Sequence, residues 1–498
     1  DFRVVFRSHH FILFKISSPG LILLHLFMLS ACYNEFRMNT LQGELIIDRS
    51  VKRQSNIELL RIVGMLLIIS HHYIVNSGIM ESITLQDHPM KYTFLTAFGM
   101  WGKTGINIFI LISGYFMCTS SLTIRRYCKV AFEWIFYNYV IYLIMLTAGY
   151  KTISPSRIFR LVFSPFIYAN GSGCFTSSFL MFYLCIPFLN MFISSITKEQ
   201  YKKFVLFLLF LFSVLSTFFY NTVIFGEVFW FIAVYFIGGF LRLHPPKWSV
   251  NLQQSFRLLL LSLLLGYMSV IGCAFLQLKF QIINLPLTFF VLDANKLGAI
   301  LVGVFLFATF RNLHVEYSKL INLVAKTTFG ILMIHANSDA WRTFMWHDLL
   351  HVDISASLPA LPLIGRSLVI VGGIFICCSL IDMTRIFLIE RPIFDHFDKI
   401  EKMILKVWKQ IKRALKAVYG IVLRWTHKKI WAIQSIQRIL FARRRYNGSV
   451  KSELFETAFN ESDMLRTINM EDLKTCLAQE KTLYFFKYAE SGYVTEGE

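Results

Sequence analysis

Ten apolar runs constrain this chain more than any other feature. They lie near residues 57–75, 94–117, 130–149, 177–196, 203–220, 227–243, 257–278, 290–310, 328–346 and 366–389, and each is long enough to be read as a membrane-crossing helix. A soluble core could not absorb so many. With 55% hydrophobic and only 16% charged residues, the composition excludes an ordinary soluble domain. The expected fold is therefore all-α: a polytopic membrane protein of about ten transmembrane helices. The eighth and ninth runs have the least defined limits, because they carry Asp293, Lys296, His335, Asp339 and Arg342.

The basic residues orient the bundle. If the end preceding the first helix is cytoplasmic, the inside segments collect Lys52, Arg53, Arg125, Arg126, Lys129, Lys198, Lys202, Lys203, Arg242, Lys247, Arg257, Arg311, Lys319 and Lys326. The outside loops hold fewer, mainly Lys91, Lys151, Arg157, Arg160, Lys279 and Arg366. The positive-inside rule favours this choice, and an even helix count returns the end of the core domain to the cytoplasm. Topology and contact with anionic membrane lipid suffice to explain the net charge of +20, so no nucleic acid is called for.

Both ends lie outside the expected core of residues 52–398. Within the extension 1–51, Phe11 to Cys32 is apolar but interrupted by Lys15, Pro19 and Gly20, and Leu29-Ser30-Ala31-Cys32 looks like a lipoprotein cleavage box. Met38 offers a start just ahead of the first good helix, so translated upstream sequence is the preferred reading over a signal segment. Residues 399–447 are rich in Lys, Arg and Trp, with Ile404, Trp408, Ile411, Leu415 and Val422 at helical spacing. That pattern suits an amphipathic helix on the cytoplasmic surface. The tail 448–498 leans acidic and carries no interpretable motif.

Inside the first apolar run lies a polar stripe. Arg61 and His72 are eleven positions apart, which at 100° per residue is three turns plus about 20°, so they share a face and stand about 16 Å apart along the axis. Glu58, Met65 and Asn76 fall on the same face, whereas His71 points about 80° away and Ser70 points to the opposite side. Ionisable groups at bilayer depth normally face a bundle interior or a wet cavity. The stripe is read as the wall of an active site, with His72 about mid-membrane.

Other chemistry is sparse. The nine cysteines include no Cys-x-x-Cys pair and most lie inside the apolar runs, so they are expected to pack rather than to form disulfides or bind a metal. No phosphate-binding glycine loop and no Gly-x-Ser-x-Gly nucleophile elbow is present.

Four motifs in order carry a resemblance. Arg61, ten residues and His72 come first, followed by Gly105-Ile-Asn-Ile-Phe-Ile-Leu-Ile-Ser113-Gly114-Tyr115-Phe116. Thr328-Phe-Gly-Ile-Leu-Met-Ile-His335 with Asn337, Arg342 and Trp346 is third, and Ile389-Glu390-Arg391-Pro392-Ile393-Phe394 closes the series. Together they resemble the acyltransferase 3 family of bacterial integral-membrane acyltransferases over roughly residues 52–398. The resemblance implies transfer of an acyl group, usually acetyl, from cytoplasmic acyl-coenzyme A to a hydroxyl of an envelope glycan or lipid-linked sugar, in the inner membrane. By the family pattern Arg61 and His72 match the catalytic pair. Relatives also carry two arginines three apart in the loop after the second helix, a site linked to the donor. Here the match is Arg126 with Lys129, preceded by Arg125, and lysine keeps the charge but loses the planar phosphate-binding fork.

The chemistry also stands on the residues. Acyl transfer from a thioester to an alcohol needs a base for the hydroxyl proton, and neutral imidazole suits that task. A transient acyl-imidazole on His72 is the alternative. Arg61 sits nearer the cytoplasmic end, where it can hold the acetyl-coenzyme A donor or lock the helix through Glu58. Supporting roles fall to Lys103 and Asn107, which share a helical face, and to a second polar centre of His335, Asn337 and Arg342. Glu133 and Asp382 read as counter-ions, with Arg385 snorkelling to the interface. A flippase for lipid-linked sugars and a non-catalytic membrane sensor are the rival classes; the first would show inverted repeats and paired broken helices.

Overall fold

The computed structural model describes residues 53–153, 175–219, 226–280 and 286–397, together with scattered helical positions between 399 and 413 and two short strands near the C-terminus. The N-terminal extension, nearly all of the expected amphipathic segment and most of the tail lie outside the described residues, as do Lys52, Arg157 and Arg160 of the charge pattern. The chain divides into two units, Asp1–Phe397 and Asp398–Glu498. In the second, Phe485–Tyr488 and Val494–Gly497 pair antiparallel with Phe485 opposite Gly497.

Among its described residues the first unit is all-α and holds eight spans long and apolar enough to cross a membrane. The first is α1 (Ser55–Asn76). The second is made by α2 (Pro89–Gly99) and α3 (Gly102–Met117), and the third and fourth are α4 (Ile124–Thr147) and α5 (Phe175–Ser195). The fifth runs from α6 (Lys198–Leu209) through a π-helical turn (Phe210–Val214) into α7 (Leu215–Phe218). Then come α8 (Gly226–Leu243) and α9 (Leu252–Phe280). The eighth starts with α14 (Ala360–Arg385) and runs through a π turn (Ile386–Glu390) into α15 (Arg391–Asp395).

The two remaining expected runs depart from simple spans, and polar residues are the reason. The run at 290–310 becomes helical only as α10 (Leu297–Asn312), a shorter apolar helix. Ahead of it the Asn295 amide donates to Phe212 O and Ser216 Oγ, and Lys296 Nζ donates to Ser216 O. These bonds satisfy carbonyls at the π turn, where the regular ladder is interrupted. The run at 328–346 is broken. After α11 (Lys319–Lys326), α12 (Thr328–His335) stops, residues 336–338 leave helical geometry, and α13 (Asp339–Thr343) restarts with Ser338 accepting from Trp341 N. Irregular backbone at membrane depth is tolerated where it lines a cavity, and Asn337 and Ser338 do line one.

Glycine sets the closest helix approaches. A Cβ on Gly105 would lie 2.6 Å from Gly64 O, and one on Gly238 would lie 2.5 Å from Leu111 O, so α3 seats against both α1 and α8 with almost no side chain between. Those contacts place α1, α3 and α8 around one space.

Candidate active site

His72 has a defined partner. Its Nδ1 stands 2.9 Å from Nε2 of His335, whose own Nδ1 is 2.6 Å from Ile331 O. A carbonyl only accepts, so His335 Nδ1 carries a proton and donates it, leaving Nε2 with a lone pair. His72 Nδ1 then donates to that lone pair. The consequence is that Nε2 of His72 is the unprotonated nitrogen of the pair. His335 is fully buried and sits behind His72, where it fixes ring and tautomer. His71 is turned elsewhere: its Nδ1 donates to Gly99 O at 3.0 Å, tying α1 to the end of α2.

His72 lines a cavity of about 480 Å³. The α1 residues on this wall are Met65, Ile68 and His72, at seven- and four-residue spacing, so the cavity follows the stripe that continues to Arg61. The α3 wall repeats the pattern with Lys103, Ile106 and Phe109. The cavity's polar lining is Lys103, Glu227, Asn337, Ser338, Asp339 and Arg342, with Lys103 within electrostatic reach of both His72 and Glu227. The rest of the wall, with Met65, Phe109 and Phe329, is apolar. In α1, His72 is seventeen residues from Ser55 and four from Asn76, about 25 Å along the axis from the start. It therefore lies nearer the C-terminal end of α1 than its middle.

Of the other sequence-derived candidates, Lys103, Asn337 and Arg342 reach this cavity, Arg342 being ion-paired with Asp339. Asn107 does not. Its amide donates to Ala294 O at 2.7 Å and accepts from Trp230 Nε1 at 2.9 Å, so both of its polar atoms serve helix packing.

Arg61 and Glu58 stand at the other end of α1. The Glu58 carboxylate lies 3.4 Å from Arg53 and 3.6 Å from Arg61 Nε. Arg61 and Arg126 are both within electrostatic reach of Tyr183 on α5, so these two cations converge on one side of the bundle. Arg125 and Lys129 are engaged with the segment after the last span: Arg125 donates to Phe394 O at 2.8 Å, and Lys129 pairs with Glu390.

Arg385 does not snorkel. It is 3% exposed and contacts three carboxylates, Asp382 at 2.7 Å, Glu390 at 2.7 Å and Glu133 at 3.0 Å, while Tyr137 donates to Asp382 at 2.6 Å. Its fork geometry matches several carboxylates at once, and a buried cation is tolerated where it is paired in this way. The network binds α4 to α14 and the π turn that follows it. Glu390 and the residues after it thus serve as a structural clasp.

Three polar cavity residues, Glu227, Thr176 and Ser338, escaped the reading of the chain. Glu227, the second residue of α8, and Thr176, the second of α5, both line the space. A lone carboxylate at the head of an apolar run was the available signal for Glu227. Thr176 had none.

The acyltransferase domain family matches residues 54–382, about two thirds of the 498-residue chain. No curated protein and no solved structure matches.

Proposed function

The chain belongs to the acyltransferase 3 family of membrane acyltransferases, and from that membership we propose that it moves an acyl group, acetyl in the simplest case, from acyl-coenzyme A to a hydroxyl of a cell-envelope glycan or lipid-linked sugar. One observation carries the reading: the His335–His72 hydrogen bond leaves a basic nitrogen on a side chain that lines a cavity along the Arg61 stripe.

His72 Nε2 takes the acceptor's hydroxyl proton as the oxygen attacks the thioester carbonyl. Collapse of the tetrahedral adduct breaks the carbon–sulfur bond, and the departing thiolate recovers the proton from His72, giving an ester and free coenzyme A. While His72 is cationic, its Nδ1–H remains bonded to neutral His335. Lys103 supplies positive charge near the developing oxyanion.

The donor approaches from the other end of α1. We assign that end to the cytoplasm and to the bacterial inner membrane, with both ends of the core on the same side. Arg61 holds the donor with Arg126, which is exposed and lies on the same side of the bundle. Arg125 and Lys129, also exposed, contribute charge from the rim although they already hold the last segment. The extended pantetheine arm then follows the stripe toward His72, delivering the thioester from one side to an acceptor on the other.

Membranes carrying the wild-type chain or His72→Ala, given radiolabelled acetyl-coenzyme A and total envelope glycan, test this directly. Alkali-labile label should enter the glycan only with wild type. Equal transfer by both proteins would remove His72 from the reaction, and transfer by neither would move the balance toward a flippase.

A further inference from the structure

The carboxylate of Glu227 lies outside the steps described so far. It lines the same cavity as His72, and its Oε2 is buried without a hydrogen-bonding partner among the described residues. Lys103 is within electrostatic reach but makes no direct ion pair with it among the described residues, and the Ser178 hydroxyl is placed to donate one hydrogen bond to the carboxylate. An ionised carboxylate can only accept hydrogen bonds. A buried acceptor left unmet costs free energy, and folded proteins leave few of them. A carboxylate has more acceptor positions than the one Ser178 can fill, and this one lines the cavity, where a ligand that donates can meet it.

The acyl donor does not meet that need, since neither a thioester carbonyl nor its sulfur has a hydrogen to give. The N–H and O–H groups of the donor lie back along its pantetheine arm, behind the thioester that must meet His72. A sugar ring fits better. It presents adjacent hydroxyls as donors, and its C–H faces suit the aromatic rings of Trp134, Phe175 and Phe179 on the same wall. His335 orients the His72 ring through a hydrogen bond, so the base role stays with His72.

We propose that Glu227 is the acceptor-recognition carboxylate, receiving one hydroxyl of a sugar ring while another hydroxyl of that acceptor faces His72. The inference rests on the acyltransferase reading above and narrows its acceptor class to polyhydroxylated rings held at the polar lining of the cavity.

Initial rates of ester labelling, with total envelope glycan titrated at fixed acetyl-coenzyme A and then the reverse, separate the two substrates. Glu227→Gln keeps the shape of the side chain but replaces the carboxylate with an amide. It should raise the glycan concentration at half-maximal rate about tenfold or more, with that for acetyl-coenzyme A unchanged. Glu227→Asp, which restores the charge one methylene short, should recover part of the loss, and it stands in for the amide variant should that one fail to elute as a folded protein from detergent. Unchanged glycan dependence in both variants overturns the proposal, as does an equal shift for both substrates. If wild type itself transfers no label, the acyltransferase reading fails and this inference falls with it. If wild type transfers and the Glu227 variants match it, the inference falls alone.

Discussion

At the scale of single residues, the imidazole pair carries the chemistry. His72 gains its polarity from a neighbour 263 positions later in the chain, so its tautomer was not legible from its own helix. Helical spacing identified Arg61 and His72 as one face because that relation is local. The contact with His335 is tertiary and became visible only through the fold. The same difference explains Asn107, which shares a face with Lys103 but is drawn out of the site by Ala294 O and Trp230 on other elements. If His335 acts by orienting His72, His335→Leu should lower kcat about a hundredfold with donor KM unchanged, by analogy with the loss when the hydrogen-bond partner that orients a metal-bound histidine is removed. His335→Gln offers an oxygen that can accept from His72 Nδ1 and should recover much of that loss. Steady-state kinetics on both variants checks this, and no difference between Leu and Gln would reduce His335 to a packing residue.

At the scale of elements, hydropathy identified eight spans because a helix that meets lipid must be apolar over its full length. It failed at α10 and at the α12–α13 break, where buried Asn295 and Lys296 and half-buried Asn337 bond to backbone and local hydrophobicity no longer reports the path of the chain. The break has a use, since it brings Asn337 and Arg342 to the cavity just beyond His335. The placement of α12 depends on α14 beside it. A Cβ on Gly330 would come within 2.1 Å of the Asp382 carboxyl carbon, so the small residue lets α12 lie against the Arg385 network. Gly330→Ala should therefore push α12 away or strain the network. The expected cost is about 1–3 kcal/mol of overpacking. Activity should fall as well, since His335 ends the same helix. Thermal unfolding in detergent together with the transfer assay checks this; an unchanged midpoint would show that the two helices separate without penalty.

At the scale of the whole molecule, the reaction is proposed to run across the bilayer, and that makes orientation a chemical quantity. The Ser55 end of α1 belongs to a face where Arg53, Lys129 and Arg391, with Glu58 among them, stand within electrostatic reach of Lys326. The Lys326 ammonium is held below the usual lysine range, first by partial desolvation and then by repulsion from Arg53, Arg391 and Lys129. Such a field is relieved by anions, whether lipid headgroups or the phosphates of a nucleotide donor. The opposite face carries the exposed Glu81, Asp87 and Asp353. The charge asymmetry predicts that the basic face is cytoplasmic. Ser82→Cys, in the exposed turn after α1, should react with a membrane-impermeant maleimide in intact spheroplasts. Lys247→Cys, in the exposed segment between α8 and α9, should react only after the membrane is opened, with both compared against the wild-type chain. The reverse pattern would place Glu227 beside the cytoplasm. Donor and acceptor would then have to enter from sides opposite to those that Arg61 and His72 require, and transfer along the α1 stripe would lose its physical basis.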